Sequence, residues 1–305
     1  MASQQSNPIV TYPLHDPRSH RRVEDHRFLT GQGRYVADIT SPNPLYAAFL
    51  RSPHAHARII KIDTNKAKSI KGVYGVFTAS DVIKSDHNRD GLGPLPTSIL
   101  LGERSDLYVP RRDVLCAETV RFVGDLVAMV IADTAETAQE ALEHITVHYQ
   151  ELKAIIDPLM ASKADMPQIW PYAPQNQAFT YERGDYKATL AAFAKADHCV
   201  TLSLVNNRIA ATAMEPRCAI ASWDHATQRH RLTVSAASLH FIKQELAGPV
   251  LGVSPDQLEI ISPDVGGGFG MKNVTYPEYA LLLWASKKLN QTIHWSAERM
   301  EDFLS

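Results

Sequence analysis

The chain has 305 residues, of which 45% are hydrophobic and 21% charged, so it is long enough for two globular domains with their own cores. Its 31 basic and 33 acidic residues give a formal net charge of -2, and this balance excludes both a basic nucleic-acid-binding stripe and an acidic tail. No run of about 18 apolar residues occurs, which excludes a membrane-spanning helix and predicts a cytoplasmic protein.

The three cysteines, Cys116, Cys199 and Cys218, are far apart in the sequence. Their odd number argues against a disulfide framework, and the lack of any CxxC spacing argues against a zinc site or an iron–sulfur cluster on this chain. We therefore expect three reduced cysteines, most of them buried.

The first half of the chain begins with a polar, unpatterned stretch, residues 1–21, that predicts a flexible arm. Apolar runs then predict three strands, with a helical turn before the third: LYAAFLRS (45–52), ARIIKID (57–63) and GVYGVFT (72–78). The Gly- and Pro-rich residues 85–106 predict a long surface loop. A strand, a helix with Thr134 as its N-cap, and another strand follow in DLVAMVIA, TAETAQEALEH and ITVHYQ.

The second half follows a Pro-rich stretch, residues 151–183, that predicts a linker between two domains. Residues 184–305 then alternate between helical and strand-like patterns. Helices are predicted in DYKATLAAFAKA (185–196), HFIKQELAG (240–248) and residues 276–289. Strands are predicted in HCVTLSLV (198–205), CAIASWD (218–224), HRLTVSA (230–236), QLEIIS (257–262) and TIHW (292–295). The fold class is α+β.

Residues 264–270, DVGGGFG, hold four glycines in five positions, between an apolar strand and a predicted helix. Glycines permit positive φ and let the backbone approach a ligand closely. The dinucleotide pattern GxGxxG fails because Met271 stands where its last glycine belongs, and the phosphate-loop pattern fails as well. A tight turn without a ligand is the alternative. Phe269 favours a ligand, because an aromatic ring among glycines needs something to cover it.

Several strings, read together, are similar to one known family. They are EDHRFLTGQGRYVADI, LYAAFLRSPHAHARIIKID, ETVRFVGDLVAMVIADTAETAQEALEHITVHYQEL, TAMEPRCAIASWD and ISPDVGGGFGMK. From about residue 22 to 305 the chain resembles the molybdopterin-binding large subunits of the xanthine dehydrogenase, aldehyde oxidase and aerobic carbon monoxide dehydrogenase family. The resemblance implies a hammerhead-type α/β domain over residues 22–150 and the N-terminal part of the first molybdopterin-binding domain over residues 184–305.

The resemblance also implies which residues contact the cofactor. In the family, the phenylalanine of the glycine loop packs beside the molybdenum ligands, and the adjoining glycines let the backbone reach the cofactor. The cofactor-binding residues implied here are Gly267, Gly268, Phe269 and Gly270. The family's general base is a glutamate that occurs much later in those subunits, so no catalytic residue and no metal ligand is assigned in this chain.

Two positions depart from the family pattern. The family commonly has a glutamine three residues before the histidine that opens the next helix, where it hydrogen-bonds the metal centre; this chain has Ala237 before His240. The purine-oxidising members have a glutamate in the glycine loop where this chain has Asn273. The first departure removes a hydrogen-bond donor, and the second argues against a purine substrate.

Other polar residues favour structural roles. We expect Glu215 to form a buried ion pair with an arginine such as Arg217 rather than to act in catalysis. Lys272 could face a phosphate or solvent. Three histidines lack a second ligand at i+3 or i+4 and predict packing or helix-start roles: His54, His56 and His240.

The sequence thus predicts a split or truncated large subunit of a molybdenum hydroxylase, which oxidises a carbon centre of an aldehyde, an N-heteroaromatic compound or carbon monoxide with oxygen from water. Its cofactor would be molybdenum–molybdopterin, shared with a C-terminal molybdopterin-binding chain. Partner subunits would carry iron–sulfur clusters and FAD. The alternative is a non-catalytic remnant that only binds partner subunits. A nicotinamide-dependent dehydrogenase is disfavoured by the failed GxGxxG spacing.

Overall fold

The computed structural model describes residues 22–85, 88, 90–97 and 107–304. It divides into two compact units, residues 1–34 and residues 35–305. The described part of the first unit contains a short helix, α1 (Asp25–Leu29), in which the Arg27 guanidinium lies 4.7 Å from the centre of the Phe28 ring. The predicted arm, residues 1–21, lies outside the described residues. Within the described ranges no helix is long and apolar enough to cross a membrane.

The second unit contains strands and helices in alternating groups. The strands are β1 (Leu45–Arg51), β2 (Ala57–Asp63), β3 (Val73–Thr78), β4 (Thr119–Val120), β5 (Leu126–Ala132), β6 (Thr146–Glu151), β7 (Cys218–Asp224), β8 (Arg229–Val234), β9 (Leu258–Ile261) and β10 (Ile293–Ser296). The helices are α2 (Asn65–Lys68), α3 (Ala79–Val82), α4 (Ala135–Glu143), α5 (Tyr186–Ala194), α6 (Leu239–Glu245), α7 (Pro277–Leu289) and α8 (Arg299–Phe303). This mixture confirms the α+β class.

A seven-stranded mixed sheet, ordered β3-β5-β1-β10-β7-β8-β9, contains strands from both predicted domains. Strand β1 pairs in parallel with β10, and Leu45 lies opposite Ile293 across that junction. Every residue of β5 is buried, which its uninterrupted apolar run predicts for a strand covered on both faces. The two sequence halves therefore share one sheet and one core.

A smaller sheet, ordered β4-β2-β6, lies on the N-terminal half of the unit. Helix α4 buries Ala138 and Ala141 in the apolar cluster formed with β1, β3 and β5. Its first turn is capped by the Thr134 hydroxyl, which accepts a hydrogen bond from the backbone N–H of Thr137 at 3.0 Å. The N-cap predicted from the sequence is confirmed.

Helix α7 is buried on all sides along its middle turns. Residues Glu278 to Ser286 are buried, and Trp284 packs edge-on against Phe77 with ring centres 5.1 Å apart. The helix begins with Pro277, at a position where a backbone N–H would have no partner within the helix. It ends at Asn290, which has the left-handed conformation. It carries the chain from the glycine loop into the core.

Three expectations about local structure were wrong. Residues 85–106 are not simply a surface loop, because Leu92 and Leu95 are buried in the main core and the N–H of Gly93 bonds to the carbonyl of Val250. The other residues of that range are partly outside the described residues. Residues 198–205 form no strand and are exposed, so Cys199 is exposed too. Each error depends on whether a tertiary contact is present or absent, and local sequence pattern does not predict such contacts.

A network of buried charges joins β1 to α7 and α8. Arg217 has no solvent exposure; its Nε lies 3.1 Å from Asp302 Oδ1 and its Nη1 3.3 Å from Glu278 Oε1. Arg51 pairs with the same Glu278 oxygen and lies 2.7 Å from Glu301 Oε1. Burial raises the pKa of the Glu278 carboxyl, but the charges of Arg217 and Arg51 outweigh burial and hold that pKa below its ordinary value.

Replacing Arg217 should destabilise the fold strongly, because Glu278 and Asp302 would stay buried without their partner. We expect Arg217→Met to lower the free energy of unfolding by about 3–5 kcal/mol, measured by urea denaturation. The matched control is Arg231→Met, which breaks an exposed pair with Glu259 at 2.6 Å and should cost at most about 1 kcal/mol. Equal losses in the two variants would contradict a special role for the buried network.

Candidate cofactor-binding site

The glycine loop, residues 264–270, connects β9 to a single 3-10 turn (Met271–Asn273) that precedes α7. Gly267 has φ +101° and Gly270 has φ +94°, values that side chains with a Cβ rarely adopt. Phe269 has φ +47° although it is not glycine. A large residue in this left-handed region is an outlier that surrounding structure must hold in place.

The glycines of the loop have different structural roles. A Cβ built on Gly266 would lie 2.5 Å from the Cβ of Glu215, so this glycine is needed for packing against the core. A Cβ on Gly268 would meet its nearest neighbour, Lys272 Cβ, at 3.8 Å, an ordinary contact, and one on Gly270 would meet nothing within 4 Å. Gly268 and Gly270 therefore leave backbone open on the outer side of the loop.

Phe269 lies on that open side. Its ring is 79% exposed, although a phenylalanine gains about 1.5–3 kcal/mol when it is buried. The ring and the open glycine backbone together form a surface that a planar or polycyclic ligand could cover.

The inner side of the loop is held by Glu215, Ser235 and Lys272. The fully buried Lys272 Nζ donates to Glu215 Oε2 at 3.0 Å, to the Glu215 carbonyl at 2.9 Å and to Ser235 Oγ at 2.8 Å. The N–H of Gly266 donates to Glu215 Oε2 at 2.8 Å, and the N–H of Glu215 donates to the Gly266 carbonyl at 3.1 Å. These bonds, which we call the loop clamp, satisfy all three protons of the lysine ammonium.

The loop clamp corrects two predictions. Glu215 forms its ion pair with Lys272, whereas Arg217 pairs with Glu278 and Asp302. Lys272 faces neither phosphate nor solvent, because its ammonium is buried among protein oxygens. The sequence held no signal for this arrangement, since positions 215, 235 and 272 meet only through the folding of the sheet.

Burial raises the pKa of the Glu215 carboxyl. The hydrogen bonds from Ser235 and from the Gly266 N–H, together with the Lys272 ammonium, lower it further than burial raises it. The net pKa lies below the ordinary carboxyl value, so Glu215 is ionised near neutral pH. A charged pair at this point keeps the loop clamp intact.

Ala237 lies beside the glycine loop. It is exposed, and its N–H donates to the carbonyl of Lys272 at 3.1 Å. A longer side chain at this position has solvent-accessible space next to the loop. His240 follows at the start of α6 and is also exposed.

The other two histidines lie in the N-terminal half. His56 Nδ1 is 2.9 Å from the carbonyl of Lys153, and His54 Nδ1 is 3.5 Å from Glu151 Oε1. Both contacts tie the loop after β1 to the end of β6, which is the packing role that the sequence predicts.

A cavity of about 740 Å³ lies at the start of α7, and its walls include Arg51, Cys116, Arg121, Trp170 and Glu278. No residue of the glycine loop lines this cavity.

Two family models match the chain. One, described as aldehyde oxidase and xanthine dehydrogenase, a/b hammerhead domain, matches residues 30–153, and the other, described as molybdopterin cofactor-binding domain, matches residues 169–305. The chain belongs to the aldehyde oxidase and xanthine dehydrogenase family. The resemblance drawn from the sequence is confirmed, and the glycine loop and its clamp lie within the molybdopterin cofactor-binding domain.

Individual relatives agree with this assignment. The nicotine 6-hydroxylase large subunit of Paenarthrobacter nicotinovorans is 32% identical over 93% of this chain and 33% of that protein. The carbon monoxide dehydrogenase large chain of Afipia carboxidovorans is 33% identical over 92% of this chain and 34% of that protein. The crystal structure of quinoline 2-oxidoreductase from Pseudomonas putida 86 superposes with a TM-score of 0.80 and 31% identity, over 92% of this chain and 34% of that one. The chain spans about a third of the length of the curated relatives it matches.

The loop clamp predicts a specific pH dependence of stability. Because folding lowers the Glu215 pKa below its ordinary value of 4.5, the stabilisation is complete above that value and is lost as pH falls through the folded pKa. The difference in unfolding free energy between wild type and Glu215→Gln should therefore shrink between pH 7 and pH 3, measured by urea denaturation.

Glu301→Gln provides a contrast for that measurement. Burial raises the Glu301 pKa more than Arg51 lowers it, so the wild type should gain stability relative to this variant as the pH falls. As the pH falls, the difference in unfolding free energy between wild type and Glu215→Gln should shrink, whereas the wild type should gain stability relative to Glu301→Gln. If the Glu215→Gln difference is independent of pH, the carboxylate does not carry the loop clamp.

Proposed function

We propose that this chain forms one wall of the molybdopterin site of a molybdenum hydroxylase large subunit. The observation that carries the proposal is the glycine loop, whose inner side is held by the loop clamp while its outer backbone and Phe269 stay open. A rigid, open loop within a molybdopterin cofactor-binding domain is suited to hold a cofactor with little cost of ordering on binding.

The residues of the loop fit this role by their geometry. Gly268 and Gly270 expose backbone without a Cβ, so hydrogen-bonding N–H and C=O groups can approach the cofactor closely. Phe269 would pack its ring against the bound group and exclude water from it. Gly267 adopts a φ of +101°, which a residue with a Cβ rarely adopts. When bound, the molybdenum cofactor would supply two-electron oxidation chemistry, with oxygen from water.

The reaction that we assign to the assembled enzyme is oxidative hydroxylation of a carbon centre. The relatives are named for nicotine, carbon monoxide and quinoline, which supports an N-heteroaromatic or carbon monoxide type of substrate for this protein as well. Their names as large subunit and large chain support an assembly with further subunits. We assign iron–sulfur clusters and FAD to partner polypeptides.

A second candidate function is a non-catalytic remnant that only binds partner subunits. Ala237 favours it, because the glutamine that the family commonly has there would supply a hydrogen-bond donor beside the loop. Turnover of the assembled complex distinguishes the two: oxidation of an aldehyde, an N-heteroaromatic compound or carbon monoxide supports the enzyme. An assembled complex that has no turnover with any of these substrates supports the remnant.

Gly268→Val tests the cofactor wall. A Cβ at this position meets its nearest neighbour at 3.8 Å and φ is not positive, so the fold should tolerate it, whereas the added methyl groups would block the cofactor side. We expect the assembled complex to lose most of its molybdenum, measured by elemental analysis, while its melting temperature changes by no more than roughly 2–4 °C.

The control for this variant is Gly248→Val, because Gly248 is an open glycine in the π-helical turn Leu246–Leu251, outside the loop. It should keep the molybdenum content of wild type. The isolated chain should hold no stoichiometric molybdenum, because one wall alone does not enclose the cofactor. About one molybdenum per isolated chain, or equal loss of metal and stability in Gly268→Val, would contradict the proposal.

Ala237→Gln tests whether a donor beside the loop affects chemistry. A preorganised donor near a reacting centre contributes roughly 2.7–4 kcal/mol, or about a hundredfold in rate, so turnover of the assembled enzyme should change by a large factor. Stability should hardly change, because Ala237 is exposed. If turnover is untouched while the protein unfolds, position 237 has only a packing role.

A further inference from the structure

The cavity at the start of α7 has the size of a small-molecule site. Its volume of about 740 Å³ lies within the range of roughly 300–1,000 Å³ that is usual for ligand pockets. Large apolar side chains form much of its wall: Leu95, Val114, Phe122, Leu126, Ile169 and Trp170. The cavity therefore has room and apolar surface for a ligand with an apolar body.

The predicted linker contributes an ordered part of this wall. Asn176 has a φ of +54°, and its side chain makes three hydrogen bonds within the linker. Its Oδ1 accepts from the N–H of Ile169 at 2.7 Å. Its Nδ2 donates to the carbonyls of Ala161 and Pro167, each at 2.9 Å. These bonds fix the backbone that carries Ile169 and Trp170 at the cavity.

The guanidinium of Arg121 is held on the same wall by uncharged groups. Its Nε donates to the carbonyl of Ile169 at 3.2 Å, and its Nη1 donates to the carbonyl of Thr119 at 2.8 Å. Its Cζ lies 3.7 Å from the centre of the Trp170 ring. Within the described ranges Arg121 forms no ion pair, and its Nη2 has no hydrogen-bond partner. A cation fixed in this way is prepared for an anionic ligand.

The charges of the wall favour a ligand with a single negative charge. Carboxylates of this chain neutralise two arginines of the wall, Arg51 and Arg111. Arg112 and Arg121 form no ion pair with any described residue. Asp125 also lines the cavity, and its Oδ2 accepts the backbone N–H of Arg121 at 3.1 Å. This carboxylate repels a phosphate dianion more strongly than a monoanion.

We propose that this cavity binds a small aromatic carboxylate, with the carboxylate group at Arg121 and the aromatic body against Phe122 and Trp170. The planar guanidinium matches the two oxygens of a carboxylate, and aromatic side chains pack favourably on an aromatic ring. The inference goes beyond the proposed function, because no residue of the glycine loop lines the cavity.

The thiol of Cys116 in the same wall takes no covalent part in this binding. Burial raises the pKa of this thiol to about 12, so the sulfur is protonated near neutral pH. A protonated thiol is a poor nucleophile and behaves as a small apolar group. Cys116 therefore adds to the apolar wall, and the binding is reversible.

The test is a calorimetric titration of the full chain with 2-naphthoate and, separately, with the uncharged 2-naphthamide, which has nearly the same shape. We expect 2-naphthoate to bind one to one with a Kd of roughly 0.1 mM or below. The amide should bind about tenfold more weakly or less well still, because a hydrogen bond between two charged groups is stronger than one to a neutral group. Inorganic phosphate should not compete with 2-naphthoate.

Hydrogen exchange locates the bound molecule in the wild-type chain. Saturation with 2-naphthoate should slow exchange at residues 167–176, which form the linker wall, and leave exchange at the glycine loop, residues 264–270, unchanged. This measurement needs no variant, so it decides the location even if a substitution at Arg121 disturbs the fold.

Arg121→Lys tests the guanidinium directly. The variant keeps the positive charge but loses the planar fork, so the Kd of 2-naphthoate should rise by about tenfold. The matched control is Arg58→Lys, because Arg58 is exposed on β2 and does not line the cavity. The control should change Kd by less than about twofold.

Several outcomes would overturn the proposal. They are no saturable binding of 2-naphthoate, an equal Kd for the acid and the amide, and an equal Kd for Arg121→Lys and Arg58→Lys. Effective competition by phosphate would assign the cavity to inorganic anions, and slower exchange at residues 264–270 alone would place the ligand on the glycine loop. The molybdenum content of the assembled complex is measured separately, so failure of the proposed function leaves this inference supported.

Discussion

Two basic side chains without solvent exposure, Arg217 and Lys272, constrain the second unit of the structure. A buried cation is tolerated only when carboxylates and carbonyl oxygens surround it, because desolvation otherwise costs several kcal/mol. Arg217 takes its partners from α7 and α8, and Lys272 takes Glu215 and Ser235. The start of α7, helix α8 and the glycine loop are therefore held in position by charge pairing in addition to apolar packing.

The consequence is a loop with two unlike sides. Hydrogen bonds from Gly266 and Lys272 to Glu215 prevent the loop from relaxing inward. Because these bonds fix the loop backbone, Phe269 keeps a positive φ and an exposed ring. Strain of this kind costs roughly 1–3 kcal/mol and persists where function requires a fixed geometry. The loop clamp thus fixes the inner side of the loop and leaves the Phe269 ring exposed on the outer side.

Local pattern predicted most strands and the long helices because their apolar periods reflect burial within this chain, as in β5 and α7. It did not predict that Leu92 is buried, since a Gly- and Pro-rich composition is the same in a surface loop and in a loop that crosses the core. The glycine loop was recognisable from its composition and from family resemblance. The loop clamp could not be predicted, because Glu215, Ser235 and Lys272 are distant in sequence and their spacing gives no sign that they are in contact.

The strand predicted at residues 198–205 fails in a more informative way. Apolar and polar residues alternate from Val200 to Leu204, yet the side chains are in solvent and the backbone is unpaired among the described residues. Alternating apolar residues stabilise a strand only when one face is covered. No described residue covers this face, so the alternation alone does not form a strand.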